Sequence, residues 1–221
     1  MTQPADAARS LCERVVGEAF ACEPSLGRWA GDHSYDGHLG DIGPGAVRRR
    51  AERFSALLDE LAALPAGDLD AEQRADLRAA HHALAEDVLR TRDLRVFALD
   101  PRRALDMGAD VSSYISRDYA PLADRAAALA SHLEQLPEWL EVAFPLLEDA
   151  VWEGPRLLAV DGGRGYAGFY REDVRRELGP LDAALGQRLD AALEGAARAC
   201  ERWSQRVEAL HPLSDSALGG D

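Results

Sequence analysis

The stretch RLLAVDGGRGYAGFY (156–170) decides the fold, because Gly163, Gly165 and Gly168 satisfy G-x-G-x-x-G directly behind an apolar run that reads as a strand. A dinucleotide-binding fold needs that run to open a βαβ unit, with further parallel strands and an acid about twenty residues on. Asp182 stands at roughly that distance, but it follows Gly179-Pro180 and opens the periodic run LDAALGQRLDAALEGAARACERWSQRVEAL (181–210), so it reads as a helix start. No other segment supplies the sheet. Apolar positions are dominated by Ala and Leu, while Ile, Val, Phe and Tyr are too sparse to populate one. The chain reads as all-α, an irregular antiparallel bundle of about seven or eight helices.

Neighbouring segments agree. Leu11, Val15, Ala19 and Cys22 share one face of a helix from near Pro4 to Cys22. In GPGAVRRRAERFSALLDELAALPAG (43–67), Pro44 suits an early helical position, and Val47, Phe54, Leu57, Leu58 and Leu61 recur near helical period until Pro65 and Gly67. Asp70 with Gln73 has the form of a capping box, opening a long helix towards Leu99. Pro101 and Pro121 read as early-turn prolines of two further helices, the second continuing through Leu129, Leu133 and Leu136. LPEWLEVAFPLLEDAVW (136–152) reads as another helix, kinked by Pro145. The expectation is one helical domain over residues 1–211 and a tail, 212–221, without a packing pattern.

Acidic residues number 39 against 25 basic ones, all of them Arg, and the net charge of −14 disfavours phosphate backbones and anionic lipid surfaces. Neither nucleic acid nor membrane is expected as a partner. The N-terminal MTQPADAARSLCERVV has no basic n-region or apolar h-region, and no apolar run approaches the ~20 residues of a membrane span, so a cytoplasmic protein is expected. Cys12, Cys22 and Cys200 lack CxxC spacing and read as buried thiols.

Candidate chemistry concentrates in WAGDHSYDGHLGD (29–41), where Asp32, His33, Asp36, His38 and Asp41 are all potential ligands. Zinc sites in enzymes usually fix ligands on a rigid helix, whereas Gly31, Gly37, Gly40 and Gly43 loosen this backbone, and the Asp spacing does not fit a calcium loop. An Asx-type turn with helix caps explains the residues better. His81 follows Leu77 by four and precedes Leu84 by three, so it reads as a hydrogen-bonded core histidine. His82 and Glu86 are an i, i+4 pair that could supply half a metal site, but such pairs are common in solvent. His132 and His211 have no partner nearby in sequence, and no G-x-S-x-G or activated Cys occurs. No catalytic residue, metal ligand or cofactor is assigned.

Three blocks, EPSLGRWAGDHSYDGHLGDIGPGAV, ALDPRRAL and YISRDYAPLADRAAALASHLEQLPEWLEVA, resemble in order and spacing the bacterial domain-of-unknown-function family 885. The family is similar to helical zinc metallopeptidases, and the resemblance implies an all-α fold around a cleft. Its His-Glu zinc motif belongs to a later half, and this chain contains no His-Glu dipeptide. Pro145 and the glycines at 162, 163, 165 and 168 depart from a family that continues a helix there. The resemblance therefore implies a non-catalytic helical binding or partner module, taking either a protein partner that carries a catalytic half or a small-molecule ligand. His33, Tyr35, Arg117, Tyr119 and Arg125 are the expected cleft residues. A hydrolase, metal-dependent through His33, His38, His82 or Glu86 or completed by another chain, is one alternative; a homodimer formed through an exposed apolar helix face is another.

Overall fold

The computed structural model describes residues 3–65 and 69–213. In chain order its helices are α1 (Gln3–Cys22), α2 (Pro24–Ala30), α3 (Pro44–Ala63), α4 (Ala71–Val88), α5 (Val96–Leu99), α6 (Arg102–Gly108), α7 (Ser112–Ser116), α8 (Leu122–Ala143), α9 (Glu153–Phe169), α10 (Arg175–Leu178) and α11 (Ala183–Glu208). The strands β1 (Ala150–Trp152) and β2 (His211–Leu213) pair in parallel. The class is all-α, with short helices interspersed among six long ones, α1, α3, α4, α8, α9 and α11. The residues read from sequence as one stretch, 1–211, cluster into two compact units: Met1–Cys22 with Gly43–Val96, and Glu23–Ile42 with Phe97–Asp221.

In the first unit, Leu11 and Val15 of α1, Phe54, Leu57 and Leu61 of α3, and Leu84 and Val88 of α4 form a shared core. Arg14 pairs with Glu60 at 2.8 Å and Arg53 with Glu18 at 2.6 Å, which sets α3 antiparallel to α1. The buried Arg50 donates from Nε to Asp87 Oδ1 at 2.9 Å and ties α3 to α4. Pro44 is the first residue of α3, and the Asp70–Gln73 capping box forms as a reciprocal pair of hydrogen bonds. The helix it opens does not reach Leu99. It widens into a π-helical turn at Leu89–Asp93 and stops where Arg95 adopts φ 54°, a left-handed conformation that cannot continue a right-handed helix. Gly67, read as part of the α3 stop signal, lies outside the described residues.

The second unit is built on α11, whose buried stripe runs through Leu189, Leu193, Ala196, Ala197, Cys200, Trp203 and Val207. Arg188 pairs with Glu134 and Arg206 with Glu141, each at 2.7 Å, so α11 runs parallel to α8. Arg164–Glu208 and Arg171–Glu194, each at 2.9 Å, set it antiparallel to α9. The run RLLAV is helical, and the glycines behind it continue α9, so no βαβ unit is present at this motif. Gly163 has a packing reason. A Cβ there would lie 2.8 Å from the Cys200 carbonyl and collide with Ser204 Oγ, which donates to the Val160 carbonyl at 2.9 Å. The glycines that depart from the family pattern at 162, 163, 165 and 168 therefore lie within an intact helix, and Gly163 lets α9 approach α11 closely.

Two expectations fail, one between α8 and α9 and one after α11. α8 passes through Pro137, and the break falls at Pro145, within a 3-10 turn at Phe144–Leu146, so LPEWLEVAFPLLEDAVW is a helix end, a turn and a strand rather than one kinked helix. The tail, 212–221, read as without a packing pattern, opens inside β2, which pairs His211 with Ala150, Pro212 with Val151 and Leu213 with Trp152. Its remainder, 214–221, lies outside the described residues.

Candidate functional site

The segment between α2 and Ile42 is polar and rich in glycine, so side chains must hold it in place. Asp32 caps a short 3-10 turn, His33–Tyr35, accepting from the Ser34 amide at 3.0 Å and the Ser34 hydroxyl at 2.6 Å. Arg28 of α2, 2% exposed, donates to the carbonyls of Tyr35 at 3.3 Å and His38 at 3.0 Å. Gly37, in the left-handed region at φ 76°, donates its N–H to Tyr114 Oη at 2.9 Å and accepts from Gln135 Nε2 at 2.6 Å. Trp139 Nε1 donates to the Gly40 carbonyl at 2.5 Å. An Asx turn, a buried Arg and side chains from α7 and α8 thus spend the loop's backbone groups on a fixed shape.

His132 lies beneath this anchor. Its Nε2 is 2.8 Å from the Gly108 carbonyl and must carry the proton there, leaving Nδ1 to accept from Tyr114 Oη at 3.3 Å. Burial pushes the imidazole pKa down to about 3, and the cationic Arg28 acts in the same direction. Burial also raises the Tyr114 hydroxyl.

Above the anchor, the His33 ring stacks on Tyr119 with centroids 3.6 Å apart and planes 4° from parallel. Tyr119 Oη donates to Asp36 Oδ2 at 2.7 Å, and His33 Nδ1 lies 3.3 Å from the same oxygen. The other carboxylate oxygen of Asp36 is buried and has no hydrogen-bond partner among the described residues. Burial and the bond to Asp36 raise the Tyr119 hydroxyl well above the ordinary phenol, which holds it protonated, a donor and not a nucleophile. Arg125 lies 6.0 Å from the Tyr119 ring centroid, but its N–H groups go to the Ala120 and Tyr114 carbonyls and to Asp118, at 2.9–3.0 Å.

The structure thus brings His33 and Tyr119 together on Asp36, with Arg125 beside the Tyr119 ring. Arg117 stands apart from them with Trp29, its guanidinium 4.8 Å from the indole centroid and donating to the Trp29 carbonyl at 3.1 Å. Tyr35 faces the other way, its ring packed so close to Gly27 that a Cβ there would meet it at 2.6 Å. Trp29, 48% exposed, was not singled out from sequence, although its place in the same block as His33 marks it.

His81 does not occupy the core. It is exposed, its ring 5.9 Å from that of His82, because the buried contacts of α4 are made by Leu84 and Val88 while Leu77, which shares its face, is only half covered. The buried histidine is His132, and the signal for it was present: it follows Leu129 by three and precedes Leu136 by four on the stripe that packs. Glu86 lies 3.5 Å from Arg90. Among the described residues no group of three or more His, Cys, Asp or Glu could hold a metal ion. Cys200 is buried as expected, whereas Cys12 and Cys22 are only partly covered, Cys22 as the last residue of α1. No described helix is long and apolar enough to cross a membrane.

A family model described as "Bacterial protein of unknown function (DUF885)" matches residues 24–216. No curated protein matches the chain. A solved structure from Shewanella oneidensis, described as a lipoprotein of unknown function, is similar with a TM-score of 0.77 at 16% identity, over 91% of this chain and 37% of that one. Identity that low shows a shared fold alone, and the chain spans little more than a third of that protein's length. With the family model covering most of its residues, the chain belongs to the DUF885 family of bacterial proteins.

Proposed function

We propose that this protein is a non-catalytic helical partner module whose recognition surface centres on Trp29 and Arg117. The observation that carries the reading is an exposed indole on a rigid base. Trp29 is 48% exposed, Arg117 lies against its ring, and the loop that follows is pinned from below by Tyr114, Gln135 and Trp139. Leu26 on the same helix is 42% exposed. Trp and Arg are the side chains that most often dominate protein interfaces, and a preformed surface lowers the ordering cost of association. The fitting partner is a protein with an apolar hollow edged by carboxylates, of the kind expected to carry a catalytic half. In the Shewanella structure the same scaffold is joined to a larger remainder, which supports association with further protein as the use of its surface.

The test is binding of a partner retained from the producing bacterium and then titrated in purified form. Trp29→Ala and Arg117→Ala are each expected to weaken it by about 2 kcal/mol, roughly thirtyfold. Leu157→Ser with Leu158→Ser, which alters the exposed apolar pair on α9 (50% and 56% exposed), is expected to leave it unchanged. The opposite pattern would remove Trp29 and Arg117 from the interface.

A further inference from the structure

Within the first unit, the C-terminal end of α3 and the first half of α4 enclose an open groove of about 380 Å³, at the low end of the ~300–1,000 Å³ typical of small-molecule sites. Its apolar lining comes from Leu61, Leu64 and Leu77. Its polar lining among the described residues is two arginines and two histidines. Arg74 and Arg78 stand one helical turn apart on α4, followed by His81 and His82, and among the described residues no carboxylate lines the groove although the chain carries a net charge of −14. Arg74 donates to the Leu69 carbonyl, whereas Arg78 has no hydrogen-bond or ion-pair partner among the described residues. Most surface arginines of this protein face Glu or Asp, whereas the guanidinium of Arg78 at the rim of an apolar groove is open to an anion.

We propose that this groove binds a free alkyl carboxylate of medium chain length, the alkyl chain lying on Leu61, Leu64 and Leu77 and the carboxylate meeting Arg78, with Arg74 beside it. The volume suits one chain and not the two of a membrane lipid. The two arginines select an anion over an alcohol or an amine of the same length. The site uses no residue of the Trp29 surface, so the two readings stand or fall separately.

Sodium decanoate titrated calorimetrically into the full chain tests it. Saturable binding at one site is expected, with decyltrimethylammonium at least about tenfold weaker. Arg78→Glu, a change at an exposed position, should weaken decanoate at least about tenfold, and Arg78→Lys should recover part of the loss. Leu77→Asp should abolish binding, its folding checked by circular dichroism. Absence of saturable decanoate binding, equal affinity for the cationic amphiphile, or unchanged affinity in Arg78→Glu would each overturn the proposal.

Discussion

Tyr114 meets His132 edge to face, ring centroids 5.7 Å apart, with the phenol oxygen 3.3 Å from Nδ1. That hydroxyl also accepts the Gly37 N–H, so the shape of the exposed loop depends on a fully buried imidazole of α8. Tyr114→Phe leaves both groups without this partner. The expected cost is about 1–3 kcal/mol in a urea titration, accompanied by faster amide exchange at Gly37.

The same histidine makes stability depend on pH. Folded His132 stays neutral down to about 3, while in the unfolded chain it takes a proton near its ordinary 6.5. Between those values the unfolded state binds more protons, so this contribution is complete above pH 6.5 and declines as pH falls towards 3, by up to ~1.4 kcal/mol per pH unit. Urea midpoints at pH 7 and pH 5 should therefore fall more in the wild type than in His132→Gln. Equal losses would show that another group carries the effect.

Gly163→Ala tests the contact between α9 and α11. The added methyl meets both Ser204 Oγ and the Cys200 carbonyl, and an expected loss of about 1–3 kcal/mol should appear as a lowered thermal midpoint. Ser204→Ala combined with it should restore only part, because the carbonyl stays in place.

In the first unit, Arg50→Met leaves the Asp87 carboxylate without its main cation and should cost about 3–5 kcal/mol. Arg50→Met with Asp87→Leu should recover most of that loss in the same denaturation assay, since an apolar pair needs no desolvation offset.

The three thiols should separate in a kinetic assay with a disulfide reagent at pH 8. Burial pushes the Cys200 thiol up to about 12, whereas Cys12 and Cys22, also raised by burial, are partly covered rather than enclosed. Two thiols reacting in the folded state and the third only on unfolding is the expected result. Rapid labelling of Cys200 would contradict the packing of α11.

Local chemistry was legible where a residue type has one structural use. The Asp70–Gln73 box, Pro44 at a first turn and Asp182 before α11 all occupy the positions their types suggest. Long-range pairing was not legible. β1 and β2 come from opposite sides of α9 and α11, and nothing in either three-residue segment specifies the other. Pro137 and Pro145 lie in one run, and local pattern did not show that the helix tolerates the first and ends before the second. His81 and His132 carry the same periodic signal with opposite burial, because a stripe states which face is apolar and not whether another helix covers it. At the site, the His33–Tyr119–Asp36 assembly joins residues more than eighty apart, so only the resemblance could group His33 with Tyr119 in advance.

The most direct test of the partner-module account places a photo-reactive benzoylphenylalanine at position 29 in the bacterium that makes the protein and measures the cross-linked product. A discrete adduct to one other protein, lost on Arg117→Glu and retained on Arg188→Glu, is the predicted result. Failure to form an adduct from position 29, or an adduct indifferent to Arg117→Glu, would contradict the account.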